Sequence, residues 1–595
     1  MHDPSKRQIA ALQRLIAKMR QRVDFVEGSA FWKLRARYFA LKARFGFVHD
    51  PAPPPIPERE YVETQSASDP YTAWLLEHEP RRSDLARLGD VAFALAARPT
   101  FELVVDDAQG GAEATLESVA SQVYAPVTTL RTSELADGAA TAVARLNAAL
   151  ERSTAEWIAF LESDIVLAPD AIFDVAVASL RDPSADAFFS DRDEYRDDGS
   201  RGNPTFTTEL GPESLLSTHH TGDVVFYRVA AVRELGGFAE VRSFHFDLAL
   251  RAWERGVRFS HRPRVLWHRR IGNGAAAAPR WDDDATVVSL ACERRGIPAR
   301  TTRFRDYDGA VIPRFDLRSP GRADIVIPTR DHADDLETTL ETLFTRTRGI
   351  DFRVTIVDNG STEAATAALF ARYVAHFPGR FTVVRVDDPF NFSQLINVGA
   401  RATDGPYLVS LNNDTEILDG DWLASMLEYA QLPGIGAVGA RLLYGDGTIQ
   451  HAGVVVGLGQ LAGHVYRFAS PDDPGPDGAL FSVRNYSAVT AAAVAFRRDA
   501  FEAIGGFDER FAVEFNDVDF CLRLGEAGLR SVYLPHVEIR HYESKSRGIP
   551  DTPQKRARVA HERALFEARW HSSSYRDPYY NPNLTLLDES GSLDA

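Results

Sequence analysis

RADIVIPTRDHADDLETTLETLFTRT (residues 322–347), followed by FRVTIVDNGS (352–361), FTVVRVDD (381–388) and GPYLVSLNNDTEIL (405–418), decides the fold. Short β-rich runs alternate with helical stretches, the pattern of an α/β fold with a largely parallel sheet. The same alternation occurs earlier, as FELVVDD (101–107), EATLESVASQVY (113–124), VTTL (127–130) and EWIAFLESDIVL (156–167). Further parallels follow in order. VVFYRVAAVRELGGF (224–238) matches VAFRRDAFEAIGGFDE (494–509), and FHFDLALRAWERGVRFSHRPRVLWHRR (244–270) matches EFNDVDFCLRLGEAGLRSVYLPHVEIRHYE (514–543). Ordered matches of this kind predict a tandem repeat of one domain, joined near residues 305–321. Length agrees, since 595 residues exceed what a single hydrophobic core supports.

Outside the repeats, residues 1–45 hold eleven Lys or Arg against Asp3, Asp24 and Glu27. Ile9, Leu12, Ile16, Met19, Val23 and Val26 make a heptad seam, so residues 1–49 read as a basic amphipathic helical region that permits self-association. Aromatics and cations interleave in FWKLRARYFALKARFGF (31–47), which suits either an anionic membrane surface or packing on the body. DPAPPPIP (50–57) reads as a semi-rigid linker opening a connecting segment over 50–98. The expected domains are then 99–305 and 320–548, with a helix and tail over 549–595. A net charge of -17 excludes a general nucleic-acid binder. Two cysteines, Cys292 and Cys521, exclude a disulfide framework, and cytoplasmic placement, peripheral at the membrane's inner face, is expected. No run approaches the ~20 apolar residues that span a bilayer.

Ligands of open α/β sheets bind beyond the carboxyl ends of the strands. In the second repeat that places residues 329–331, 358–361, 387–388 and 412–414 along one edge. Such a cluster of acidic and small polar groups repels itself unless a cation or a bound donor compensates it, and carboxylate oxygens suit Mg²⁺ or Mn²⁺.

IPTRD (327–331), IVDNGST (356–362), LNNDTEIL (411–418), GGFDE (505–509) and EFNDVDFCLRLGEAG (514–528), in that order, resemble glycosyltransferase family 2, the inverting enzymes of the GT-A fold. The resemblance is strong over about 320–545 and weak over about 100–270. DGTIQHAGVVVG (446–457) and NYSAVTAAAVAFRRDAF (485–501) are similar to rhamnosyltransferase-like members that build surface polysaccharides, including O-antigen. The resemblance implies a metal-dependent, inverting transfer from a nucleotide sugar, a UDP-sugar or dTDP-rhamnose, to a glycan or lipid-linked glycan hydroxyl.

It also implies roles for residues. Asp358 would accept the N3–H of a uracil or thymine ring, and Pro328, Thr329, Asp331, Asn359, Ser361, Asn397, Asn412 and Asn413 would line the donor site. Asp414 closes the position of the DXD motif, whose first carboxylate is Asn412 here, and would bind the metal with His541 as a further ligand. Asp517 would be the general base, with Asp519 two residues on as a supporting or acceptor-side residue. His451 in DGTIQHAG would belong to the acceptor region, while Lys545 and Arg547 are cations available to phosphate or acceptor charge. The first repeat keeps Glu162, Asp164 and Asp247, but LRTSE (130–134) replaces VDNGS and His245 replaces Asp517. A degenerate first repeat is therefore expected; the alternatives are a bifunctional enzyme or a noncatalytic glycan-binding assembly protein.

Overall fold

Every residue of Ala323–Thr329 and Tyr407–Leu411 is buried, as is every residue of Trp157–Leu161, which is how strands covered on both faces behave. The computed structural model describes residues 69–108, 110–125, 127–135, 141–271, 280–318, 321–542 and 552–594. The expected N-terminal helix with its membrane contact and self-association, the linker at 50–57, and Lys545 and Arg547 lie outside these residues.

Two mixed sheets form, of eight and ten strands. In the first, the strands run in the order Val127–Arg131, Phe101–Val105, Trp157–Leu161, Val225–Arg228, Ala187–Arg196, Phe259–Ile271, Ile165–Leu167. The second repeats that order as Phe352–Asp358, Ala323–Thr329, Tyr407–Leu411, Ala493–Arg497, Ile435–Leu443, Arg530–His541, Thr415–Ile417, and adds Phe381–Arg385 outside Phe352–Asp358. Register agrees as well as order: Phe101 lies beside Trp157 as Ala323 lies beside Tyr407. Pairing is parallel through the leading strands of each sheet and mixed beyond them, because the strand that enters fourth runs antiparallel to its neighbours.

Alternation of side chains explains why these apolar runs become strands. Ile325, Ile327, Val354, Ile356 and Val409 enter one core, while Val326, Val357 and Leu408 enter the core on the opposite face. Pairing between Ala323–Thr329 and Tyr407–Leu411 stops at Val326 beside Ser410. Two residues later Pro328 has no N–H to continue it, so the strands part at their carboxyl ends and leave a crevice.

The repeats share internal fastenings. Asn147 holds Phe238 by both main-chain groups, at 2.8 and 3.0 Å, and Asn397 holds Phe507 in the same way at 2.9 Å for each bond. The glycine before each phenylalanine, Gly237 or Gly506, has φ of 74°. A Cβ there would come within 2.3 Å of the Asn147 side chain or 2.6 Å of the Asn397 side chain, so both conformation and space call for glycine. Likewise Asp247 binds Arg251 at 2.7 Å and Asp519 binds Arg523 at 2.8 Å, and each arginine also donates to a carbonyl just before the Gly-Gly pair, Leu235 or Ile504.

One apolar cluster crosses between the repeats, joining Leu215, Phe246 and Val288 to Tyr429, Ile435 and Val532. The two halves are therefore packed as one body, not strung on a linker. Arg530 grips the buried Glu213 with two bonds of 2.8 and 2.9 Å, and Asn485 accepts the N–H groups of Glu213 and Ser214 at the start of the helix Pro212–Ser217. The segment expected to connect linker and body is helical from Pro70, after an Asp69 cap, and Tyr71 anchors it to Asp193 at 2.5 Å. The expected C-terminal helix is Pro553–Trp570, and beyond it Asn581 bonds Asp191 of the first repeat at 2.9 Å.

Candidate active site

At the outer part of the crevice, Asp358 ends its strand and is 3% exposed. One carboxylate oxygen accepts the Ser361 N–H at 2.9 Å, and the other accepts from Arg385, also at 2.9 Å. Asn359 donates to the carbonyls of Val386 and Asp388, while its N–H donates to the Thr329 carbonyl at 2.8 Å. Asp331 takes the N–H groups of Thr362 and Glu363 at 2.8 and 2.9 Å, and its own N–H donates to the Ser361 hydroxyl. The Glu363 N–H, followed by that of Thr362, holds the Asp331 carboxyl below its ordinary range. Asp331 and His332 both adopt left-handed φ, 54° and 55°, so the loop is a locked structure. The residues expected at the nucleoside end thus knit the strand ends together. Arg385, which sequence reasoning did not name, pairs with the expected base-reading carboxylate.

Further in, Asn413 donates to the Thr329 hydroxyl at 2.9 Å and its carbonyl accepts from Thr339, which pins the NND loop to the first strand. That aims Asn412 and Asp414 into a cleft of about 220 Å³. His541 reaches the same cleft from the last long strand, because Thr415 and His541 lie side by side across the ladder. The Nδ1 of His541 is 2.7 Å from Gln450 Oε1, an acceptor, so that nitrogen carries the proton. Its Nε2 lies 3.0 Å from the Asn412 amide and 3.1 Å from Asp414 Oδ1. At that separation a proton or a cation between the ring nitrogen and the carboxylate oxygen makes the contact favourable. The donor set, one carboxylate and one imidazole oriented by an amide, fits a divalent cation that draws its remaining ligands from a bound molecule and water. Among the described residues no group of three or more His, Cys, Asp or Glu side chains is placed to hold a metal by itself.

Asp517 lines this cleft from the first turn of the helix Asn516–Glu526. Its oxygens accept the N–H groups of Val518 at 2.9 Å and Ala491 at 3.2 Å, which fixes the carboxylate while leaving lone pairs toward the cleft.

Three expectations need correction. Asp519 is fully buried, held by Arg523, by Arg569 at 3.0 Å and by Trp570 at 3.1 Å, so it anchors the C-terminal helix and faces no acceptor. Asn397 spends its amide on Phe507 and Glu509, so its place is under the GGFDE loop and not in the donor site. His451 is fully buried, 3.0 Å from His464. Burial, then the neighbouring His464 and His541, pushes its pKa well down, so it stays neutral. It is His464 that lines the cleft, together with Gln450, Arg467, Thr490 and Glu514. The nearest sequence signal was DGTIQHAG itself, whose strand Ile449–His451 places Gln450 against His541; nothing in the local sequence marks Arg467, which lies in a loop contacted by Tyr444 and Glu589.

Residues 324–505 match glycosyl transferase family 2, and the second repeat belongs to that family. An uncharacterized protein of Sinorhizobium fredii, y4gI, is 36% identical over 454 residues, 74% of this chain and 50% of that one. The O-antigen biosynthesis protein RfbC of Myxococcus xanthus is 33% identical over 560 residues, 87% of this chain and 42% of its own length. This chain therefore spans about half or less of either relative. Over 84 residues, 14% of the chain and 26% of the relative, it is 40% identical to the N-acetylglucosaminyl-diphospho-decaprenol L-rhamnosyltransferase of Mycobacterium tuberculosis. A solved mannosyltransferase of Pyrobaculum calidifontis, in complex with GDP-Man and Mn²⁺, superposes with a TM-score of 0.33 at 19% identity, over 50% of this chain and 74% of that one.

Proposed function

We propose that this chain is an inverting glycosyltransferase that moves a sugar from a nucleotide diphosphate, a UDP-sugar or dTDP-rhamnose, to a hydroxyl of a surface polysaccharide or lipid-linked glycan. The observation that carries the reading is the convergence of Asp414, His541 and Asp517 on one cleft of a family 2 domain. Residues 320–548 would be the catalytic GT-A domain and 99–305 a noncatalytic copy, with the chain working in the cytoplasm at the membrane's inner face. Among the described residues no helix is long and apolar enough to cross a membrane.

Asp358, already oriented by the Ser361 N–H, keeps acceptor capacity for a pyrimidine ring N–H. Asp414 and His541 would hold Mn²⁺ or Mg²⁺, which when bound supplies positive charge opposite a leaving diphosphate. Asp517 takes the proton of the acceptor hydroxyl as that oxygen attacks the anomeric carbon from the face opposite the diphosphate. The main-chain donors on both its oxygens keep it from swinging away, and such a base contributes ~10² to 10⁴ in rate.

The test is release of nucleotide diphosphate from a panel of nucleotide sugars with Mn²⁺ and glycan acceptors, using the parent and Asp517→Asn. Turnover with one donor class and a drop of at least ~100-fold in the variant are expected. Equal rates would remove Asp517 from its role.

A further inference from the structure

The ladder that brings His541 to Asp414 has a counterpart in the first repeat, and a different residue stands in it. Ile165 pairs with Arg269 as Thr415 pairs with His541, each one residue beyond the acid of its loop, Asp164 or Asp414. The guanidinium of Arg269 contacts Asp164, lies 3.3 Å from Glu162, and bonds Asp223 at 2.5 Å. Arg280 closes the cluster from the other side, 3.5 Å from both Glu162 and Asp223. Burial opposes the charge on Arg269, but Asp223, Asp164 and Glu162 outweigh it and hold its pKa above the usual guanidinium range.

The second repeat is built the other way. Glu162 is replaced by Asn412, the residue that follows the equivalent strand. Asp223 is replaced by Ala492, since Tyr227 and Phe496, each four residues further on, occupy the same register beside Ile158 and Leu408. Carboxylates have been removed there and a lone-pair donor supplied at position 541. In the first repeat carboxylates are retained, no lone-pair donor stands at 269, and two guanidinium charges equal the charge of one divalent ion. A divalent cation does not fit the first site: Arg269 already pairs with one oxygen each of Glu162, Asp164 and Asp223, occupies the space between them and repels a second cation.

We infer that Arg269, supported by Arg280, is a built-in replacement for the metal ion in the first repeat, and that this one residue keeps Glu162, Asp164 and Asp223 from forming a divalent-cation site. The inference borrows from the proposed function only the expectation that the second repeat binds the ion.

Mn²⁺ titration of the full chain, followed by the electron paramagnetic resonance signal of free Mn²⁺, tests it. Asp414→Ala should bind none, at concentrations that saturate the parent. Adding Arg269→His to Asp414→Ala should restore about one equivalent, since an imidazole beside carboxylates is a competent ligand set, and Asp164→Asn should remove it again. Mn²⁺ bound by Asp414→Ala and lost on Asp164→Asn would overturn the inference. So would a folded Arg269→His variant that binds none; if that variant does not fold, Arg269→Gln, which drops the charge and offers an amide oxygen, is read by the same criterion. A parent chain that binds no Mn²⁺ would count against the proposed function while leaving both results in the Asp414→Ala background decisive for Arg269.

Discussion

The two repeats share side chains that hold the fold and differ at several positions around the cleft. Asn147 and Asn397 make the same grip on a Gly-Gly-Phe turn, and Asp247–Arg251 matches Asp519–Arg523. Against that frame, position two of the equivalent helices carries His245 in one repeat and Asp517 in the other, and the ladder position beside the acidic loop carries Arg269 or His541. Packing constrains many residues weakly and together, whereas the cleft depends on a few charges. A handful of substitutions can therefore end one chemistry without disturbing the sheet that carried it.

The largest expected effect comes from exchanging these charges. Asp517→His, which installs the first repeat's residue, should lower kcat by at least ~100-fold, while His245→Ala should leave steady-state turnover unchanged. Burial, ahead of the opposing pull of Glu162 and Asp223, keeps the His245 ring neutral in its own site. Comparable losses in the two variants would break the contrast between the repeats.

A smaller effect is expected behind the proposed metal ligand, His541. Gln450→Leu removes the acceptor that fixes the His541 tautomer and should weaken Mn²⁺ binding by ~10- to 100-fold, measured by calorimetric titration. Smaller still, Asn147→Ala and Asn397→Ala should each cost about 1–3 kcal/mol in urea unfolding, because each strands a buried Phe main-chain N–H and carbonyl. A rise in donor KM without loss of stability for Asn397→Ala would return that residue to the donor site and make the staples unlike.

The least effect concerns the tail that joins the repeats. Asp577 accepts the N–H groups of Val456 and Tyr579, yet burial outweighs them and raises its pKa to about 6. A carboxyl raised on folding stabilises most when protonated, so its contribution is full below the ordinary carboxyl range and lost as pH rises through about 6. Protection of the amides of residues 577–594, measured relative to their intrinsic exchange rates, should therefore be greater at pH 5 than at pH 8 in the parent, and that difference should shrink in Asp577→Asn.

Reading the repeats from their order required only local information. A strand whose residues alternate between two apolar cores is written into a run such as ADIVIPT, and the GGF turn declares itself because nothing but glycine fits there. That Asp414, Asp517 and His541 border one cleft was also legible, since each follows, opens or ends an element whose end lies on that edge. Asn397, His451 and Asp519 were not, because sequence proximity to a motif says nothing about which way a side chain faces. Each sits on an element that does border the site, and each turns to the protein side. Arg467 and Glu514 went unseen for the converse reason: loops bring them to the cleft from positions without periodic pattern.

By itself, then, the sequence determined the tandem α/β repeat and the second copy as the one with a set of acidic groups suited to transfer chemistry, because strand periodicity and motif order are properties of neighbours along the chain. Only the tertiary structure decided that Arg269 stands where His541 stands, that Asp519 is an anchor, and that one core runs through both repeats. Those facts depend on ladder register and on burial, which join residues from about fifty to more than a hundred positions apart, and no local pattern encodes them.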